Sequence, residues 1–257
     1  MNVLAIGDVV APVGSEFLRE RLPKIKKEYK IDLVIANGEN SAEGNGVTPR
    51  SADFLFDSGV DIITTGNHAF RRREIYDYLD EHEFIIRPLN FPETTTPGKG
   101  YCEIDFLKYK VIVVNLMGNI YMESAGCPFR AIDELLSNIN ERDIVLVDFH
   151  AEATSEKRAM GFYLDGKVSA IFGTHTHVAT ADECILKNGT GYITDVGMTG
   201  PIDSVLGVKP INIIEKLKNK LPVKFETASG KCKMECIIFT INEQTKKTEA
   251  VNRLTIM

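Results

Sequence analysis

An excess of positive charge is missing from this sequence. Lysine and arginine total 30 against 36 aspartates and glutamates in 257 residues, a formal net charge of −6 with a pI near 5.5. Such a field repels polyanions, so duplex nucleic acid is not an expected partner, although a local positive site is compatible with the count. Paired cysteine motifs are missing too. Cys102, Cys127, Cys184, Cys232 and Cys236 form no CxxC and are odd in number, which points to reduced thiols buried as small hydrophobes in a cytoplasmic protein. No apolar run approaches the length of a membrane span. The opening MNVLAIGDVV carries Gly7 and Asp8 inside its apolar stretch and has no basic leader, so it does not read as a signal peptide. Linkers, repeats and low-complexity tracts are also lacking, and residues 1–257 read as a single domain.

What is present is an ordinary globular composition, 44% hydrophobic and 26% charged, enough to bury a sizeable core. Short β-branched runs recur, each ending in a polar or glycine-containing corner: VLAIGD, DLVIANGEN, DIITTGNH, VIVVNLMG, IVLVDFH, VSAIFGTHTH and GYITDVGMTG. Runs of this kind read as buried central strands.

Helical patterns lie between them. Thr48 caps a helix opened by Pro49, with Phe54 and Leu55 inward and Gly59 at its end. Pro128 opens another carrying Phe129, Ile132, Leu135, Leu136 and Ile139, and Pro210 a third with Ile213, Ile214, Leu217 and Leu221 on one side, stripes expected to face the core. A helix over about residues 15 to 29 has Pro23 against it. From residue 223 the alternation, broken at Ser229-Gly230 and between Gln244 and Lys247, predicts antiparallel strands. The expected fold is a layered α/β sandwich with two mixed sheets flanked by helices.

Open α/β sheets collect ligands at the carboxyl ends of their strands. Asp8, Glu39, Asn40, Asn67, His68, His150, His175 and His177 all stand there, and of the five histidines only His82, in the charged stretch YLDEHEF, does not. Each has a plainer explanation when taken alone. His150 would pass for a satisfied core histidine, Asn67 and His68 for a turn and helix cap, and an HxH triplet for a pair of half-exposed imidazoles. Extended backbone would put His175 and His177 on one face, able to meet a common ligand. Asp8 is costly to bury unpaired and asks for a metal or a strong set of hydrogen bonds.

Carboxylates, neutral imidazoles and carboxamide oxygens together make a donor set suited to divalent transition metals rather than calcium. Seven candidate ligands are too many for one tetrahedral ion. Two ions sharing a carboxylate, roughly 3.5–4 Å apart, would clamp a phosphoryl group and generate a hydroxide nucleophile. Two such ions carry more charge than Asp8 and Glu39 cancel, which invites an anionic phosphoester into an acidic protein.

The order GD, GEN (38–40), GNH (66–68), a lone His150 after an apolar strand, and THTH (174–177) resembles the calcineurin-like metallophosphoesterases. More narrowly, AIGDVV, ANGENSAEGNG, TTGNHAF, FHAEATSEK, GTHTHVATAD and TDVGMTGP look like the YmdB-type phosphodiesterases acting on 2′,3′-cyclic nucleotides. The resemblance implies one metal on Asp8, Glu39, Asn40 and His177 and another on Glu39, Asn67, His150 and His175, with Glu39 bridging and His68 as general acid. Iron, manganese and zinc all suit the set, iron or manganese ahead of zinc. A small phosphoester, foremost a cyclic nucleotide, is the implied substrate, no membrane is expected, and a homo-oligomer is compatible.

The sequence departs from the wider superfamily at Val10, where DxH would place a histidine, at Glu39-Asn40 in place of GDxxD, and at Ala69, where many members carry an acid. Whatever orients His68 must therefore lie elsewhere. Arg71 to Arg73 read as a solvated face and TDVGMTGP as a tight turn, which the resemblance sets beside the substrate pocket. A phosphomonoesterase would use the same ligands. A noncatalytic metal or nucleotide sensor would have no need of His68. An amidohydrolase would place HxH after the first strand, where this chain has Gly-Asp.

Overall fold

In β1 (Asn2–Ile6) Val3 and Ala5 point one way and Leu4 and Ile6 the other, and all four are fully buried. A strand buried on both faces needs apolar cover on both. Helices supply it on one side and a second sheet on the other. The structure, a computed structural model, describes residues 1–140 and 142–257.

In chain order the elements after β1 are β2 (Asp8–Val9), α1 (Ala11–Glu28), β3 (Leu33–Asn37), α2 (Pro49–Asp57), β4 (Ile62–Thr64), α3 (Tyr76–Glu81) and β5 (Ile85–Ile86). The chain continues with β6 (Tyr101–Asp105), β7 (Lys110–Met117), α4 (Pro128–Leu136), β8 (Ile144–His150), α5 (Thr154–Leu164) and β9 (Ala170–Thr174). Then come β10 (Cys184–Ile185), β11 (Gly191–Ile193), β12 (Met198–Pro201), α6 (Pro210–Asn219), β13 (Cys232–Ile241) and β14 (Thr248–Ile256).

The first sheet runs β2-β12-β13-β1-β3-β4-β5, with β14 on the other edge of β13. The second runs β10-β11-β9-β8-β7-β6, parallel at its centre and antiparallel at both edges. Val3, Ala5, Ile35 and Phe239 of one sheet meet Val113, Leu146, Ala170 and Phe172 of the other in a shared core. Leu18, Leu22, Ala52 and Leu55 cover the outer face of the first sheet, and Ile132, Met160 and Leu164 that of the second. The result is the expected two-sheet α/β sandwich. Among the described residues, no helix is long and apolar enough to cross a membrane.

Local signals explain most boundaries. The Thr48 hydroxyl accepts from Ser51 N–H at 3.1 Å and the Ser51 hydroxyl accepts from Thr48 N–H at 2.9 Å, a reciprocal cap that starts α2. Pro23 sits inside α1 after all, on its exposed side, where the carbonyl it leaves unbonded can turn to water.

Four expectations need correcting. The stripe on α6 does not face the core: no α6 residue is buried, and Ile211, Ile214, Leu217 and Leu221 are exposed. Periodicity tells which side of a helix is apolar and says nothing of whether anything covers it. TDVGMTGP is no tight turn, because Met198–Pro201 is a strand paired with both β13 and β2. The run after Val223 makes only a single bridge, between Thr227 and Val208, before the β13–β14 hairpin. Of the cysteines, Cys127 is exposed and Cys184 half-buried, while the other three are buried thiols; among the described residues all five are free.

Candidate metal centre

The candidate residues reach one crevice from strands of both sheets. Asp8 opens β2, its N–H given to the Gly197 carbonyl at 3.0 Å and its register set opposite Met198 in β12. At Gly7 the backbones come so close that any Cβ would strike the Gly197 carbonyl. Glu39 and Asn40 follow β3 in a turn held by Glu39 N–H to Asn37 Oδ1, 3.2 Å. Asn67 and His68 follow β4. Gly66 lets that corner pass over His150, since a side chain there would meet the imidazole ring. His150 ends β8, paired with Thr174, where β9 stops.

His175 and His177 are not in extended backbone, contrary to the expectation from their spacing. Both adopt left-handed conformations, with φ of 100° and 61°, costly for residues with a Cβ and found where the surroundings enforce them. The enforcement is visible. Asp8 Oδ2 accepts from His175 N–H at 3.0 Å and Asp195 Oδ2 from Thr176 N–H at 3.1 Å. The buried Lys157 ammonium bonds both Asp195 Oδ2 (2.6 Å) and the Thr174 carbonyl (2.7 Å). Residues 194–201 thus back the histidine loop and the Asp8 strand from within the fold.

Two clusters of polar side chains form on either side of Glu39, which reaches the first through the Asn40 amide. In one, His177 Nε2 lies 3.5 Å from Asp8 Oδ1 and 3.3 Å from Asn40 Nδ2, which is 3.4 Å from both Asp8 Oδ1 and Glu39 Oε1. In the other, His150 Nε2 lies 2.9 Å from Asn67 Oδ1, 3.1 Å from His175 Nδ1 and 3.2 Å from Glu39 Oε1. Ligand atoms of Glu39, His150 and His175 all lie within 4.8 Å of one another. His68 joins from the side, with Nδ1 3.1 Å from both Glu39 Oε1 and Asn40 Oδ1.

Hydrogen bonding fixes which ring nitrogens are free. The single hydroxyl hydrogen of Thr174 goes to Asp148 Oδ1 at 2.7 Å, so His150 Nδ1, 2.9 Å away, must donate to that hydroxyl. Its Nε2 lone pair then faces the acceptors of Asn67 and Glu39. Acceptors directed at acceptors require a proton or a cation between them. In the protein alone a proton serves: burial lowers the His150 pKa, but the Glu39 carboxylate beside it prevails and holds it up at about 9. Burial and the charge on His150 press His175 down to about 4, leaving a neutral imidazole. Glu152 accepts from its Nε2 at 3.0 Å, which turns Nδ1 toward His150. Burial opposes ionisation of Glu39 and Asp8, yet His150 beside the first and His177 beside the second keep both below the ordinary carboxylate range. His177 gives its Nδ1–H to the Leu206 carbonyl at 3.1 Å. Carboxylates, imidazole nitrogens and carboxamide oxygens are the ligands a divalent transition metal takes, and Glu39, His150 and His175, whose ligand atoms converge, fit such an ion once it replaces the proton on His150.

Several contributors escaped the sequence reading. Asp148, wholly buried and bonded by Thr64 and Thr174, was legible as an acid in the apolar run IVLVDFH. Glu152, Lys157 and Asp195 gave no signal, because their roles depend on partners distant in the chain. Of the arginines, Arg72 is tied to the carbonyls of Glu43 and Asn45 and Arg73 starts a short 3₁₀ turn, while Arg71 borders the crevice. His82 is the surface histidine expected, stacked on Tyr78.

The crevice is a cavity of about 730 Å³, lined by Glu39, His68 and His177 and also by Leu206, Ile213 and Phe225.

A profile of the YmdB-like protein family matches residues 4–254. A 2′,3′-cyclic-nucleotide 2′-phosphodiesterase of Bacillus subtilis (strain 168) is 46% identical over 257 residues, covering 100% of this chain and 97% of that protein. Among solved structures, a hypothetical protein from Thermus thermophilus superposes with a TM-score of 0.93 at 42% identity, over 99% of this chain and 98% of the other. One described as a novel phosphatase of Mycoplasma pneumoniae gives 0.94 at 34% identity, over 100% and 93%.

Proposed function

The chain belongs to the YmdB-like protein family, and from that premise we propose that it is a metal-dependent phosphodiesterase that opens 2′,3′-cyclic nucleotides. Asp8, Glu39, Asn40 and His177 would hold one divalent ion, and Glu39, Asn67, His150 and His175 a second. Bound there, the ions would supply a hydroxide nucleophile near neutral pH and offset the charge gathering on phosphorus. Iron and manganese suit the set best, with zinc next.

The chain's own groups do the rest. Burial of Glu39 and Asp8 keeps bulk water from the carboxylates, which strengthens every charge interaction at the centre. Thr174 with Asp148, and Glu152, hold the two imidazoles by the nitrogen that faces away from the other donors. With the Nδ1–H of His68 given to Glu39 and Asn40, Nε2 is the nitrogen left for substrate. The imidazolium form carries a second proton there, which would pass to the ribose oxygen as the P–O bond breaks and leave a neutral ring protonated on Nδ1. Glu39 and Asn40 thus do for His68 what an acid at position 69 does elsewhere.

The observation that carries this reading is the convergence of Asn67 Oδ1, His175 Nδ1 and Glu39 Oε1 on His150 Nε2, all within 3.2 Å. The test is hydrolysis of 2′,3′-cyclic AMP and bis(p-nitrophenyl) phosphate by protein whose metal content has been measured, with His68→Ala alongside. Turnover that falls in His68→Ala while metal content holds is expected. Failure to hydrolyse either diester would end the proposal. The relative described as a phosphatase makes p-nitrophenyl phosphate the necessary comparison, and faster turnover of that monoester would favour a phosphomonoesterase.

A further inference from the structure

A 2′,3′-cyclic nucleotide has two unlike ends, an anionic phosphate and a planar, largely apolar base. The crevice has two unlike kinds of lining. Besides the donors, Leu206, Ile213, Val223 and Phe225 line the same cavity. Three observations mark this apolar lining as fixed and directed inward. His177 Nδ1 bonds the Leu206 carbonyl at 3.1 Å, so the apolar side is tied to a donor of the centre itself. Ala228 N–H to Gly207 and Lys209 N–H to Glu226 cross-link its two segments at 2.8 and 2.9 Å. On α6, Ile213 is half-buried and turned into the cavity while Ile211 and Ile214 are exposed.

Phe225 is 40% exposed. The Lys216 ammonium stands 4.7 Å from its ring centroid, and Phe225 lines the cavity while Lys216 does not. An aromatic surface facing a cavity beside a phosphoester site is suited to a flat π-system, and stacking tolerates any base.

We propose that this apolar side seats the nucleobase, with the Phe225 ring as its stacking platform and Leu206, Ile213 and Val223 around it. Phe225 is then a specificity-determining residue that makes the enzyme prefer nucleotides over base-free cyclic phosphates. The inference rests on the phosphodiesterase reading above.

The test compares metal-loaded wild type, Phe225→Ala and Phe225→Tyr on 2′,3′-cyclic AMP and on methyl β-ribofuranoside 2′,3′-cyclic phosphate, which has no base. Phe225→Ala should raise KM for the nucleotide about tenfold, so that the ratio of kcat/KM between the two substrates falls by that factor, and Phe225→Tyr should restore the ratio. An unchanged ratio, whether both substrates suffer alike or neither does, would overturn the proposal, because a structural role moves the two together. If wild type hydrolyses neither compound, the proposed function has failed on its own. Calorimetric binding of 2′,3′-cyclic AMP then decides the base seat: a loss of about tenfold in Phe225→Ala supports it, and no binding or unweakened binding refutes it.

Discussion

Glu39 and Phe225 border the same cavity, one 1% exposed and the other 40%. Glu39 sits among His68, His150 and Asn40, on backbone held by two sheets that share an apolar core and are also joined by buried hydrogen bonds from Asn37 and Thr64 to Asp148. Phe225 stands on a segment whose helix buries nothing and whose outer stripe meets solvent. The donor side is fixed by many interlocking hydrogen bonds, the apolar side by a handful. Chemistry that needs placement within fractions of an ångström belongs on the first. Recognition by stacking tolerates the second.

Substitutions can sharpen that contrast or break it. The largest effect is expected from Glu39→Gln, which weakens the ligand assigned to both proposed ions. Several kcal/mol of transition-state stabilisation should go, about a thousandfold in kcat/KM or more, with metal content falling in the same preparation. Retention of full activity would show that Glu39 is not shared. Next comes Asp148→Asn, which leaves the candidate ligands intact but disturbs the Thr174 hydroxyl that holds His150. Metal affinity or activity should drop about 10- to 100-fold, read by competition with a chelator. An effect as small as that of a surface change would mean that the buried carboxylate does not orient the ring.

A pH effect comes third. Burial works to raise the pKa of Asp182, but hydrogen bonds from Thr194 and Thr180 prevail and hold it below its ordinary value of 3.8. A depressed folded pKa contributes stability that is present above the unfolded value and lost as pH falls through the folded one. The thermal midpoint of wild type should therefore exceed that of Asp182→Asn at neutral pH, and the gap should close at pH values below about 4. A gap independent of pH would contradict the sign. The smallest effect is expected on the outer face of α6. Leu217→Lys, at an exposed position, should change stability by no more than about 0.5 kcal/mol. A large loss in denaturant unfolding would reveal a partner covering that stripe and erase the contrast.

Much of this was legible in the chain. The strand ends bearing Asp8, Glu39, Asn67, His150 and His175 followed from apolar runs that stop at polar corners, a layered α/β domain with mixed sheets from their alternation with helices, and the two-sheet sandwich from the family resemblance. The α2 cap was spelled out by Thr48-Pro49. Not legible were the covering of a helix stripe, which failed for α6, and the backbone of the histidine loop, where spacing implied extension and the structure has φ values of 100° and 61°. Those depend on groups far away in sequence, Asp8 and Asp195 for the loop, and on what packs against α6, which buries none of its own residues.

The sequence by itself determined which residues carry donors and that each would stand at a strand end, because burial patterns and turn residues act over a few positions along the chain. Only the tertiary structure decided how those donors are grouped, which imidazole nitrogen each presents, and that an apolar side with Phe225 completes the cavity. Distances between side chains from different strands are set by sheet register and packing, and hydrogen bonds such as Thr174 to Asp148 choose a tautomer only once the two strands lie side by side.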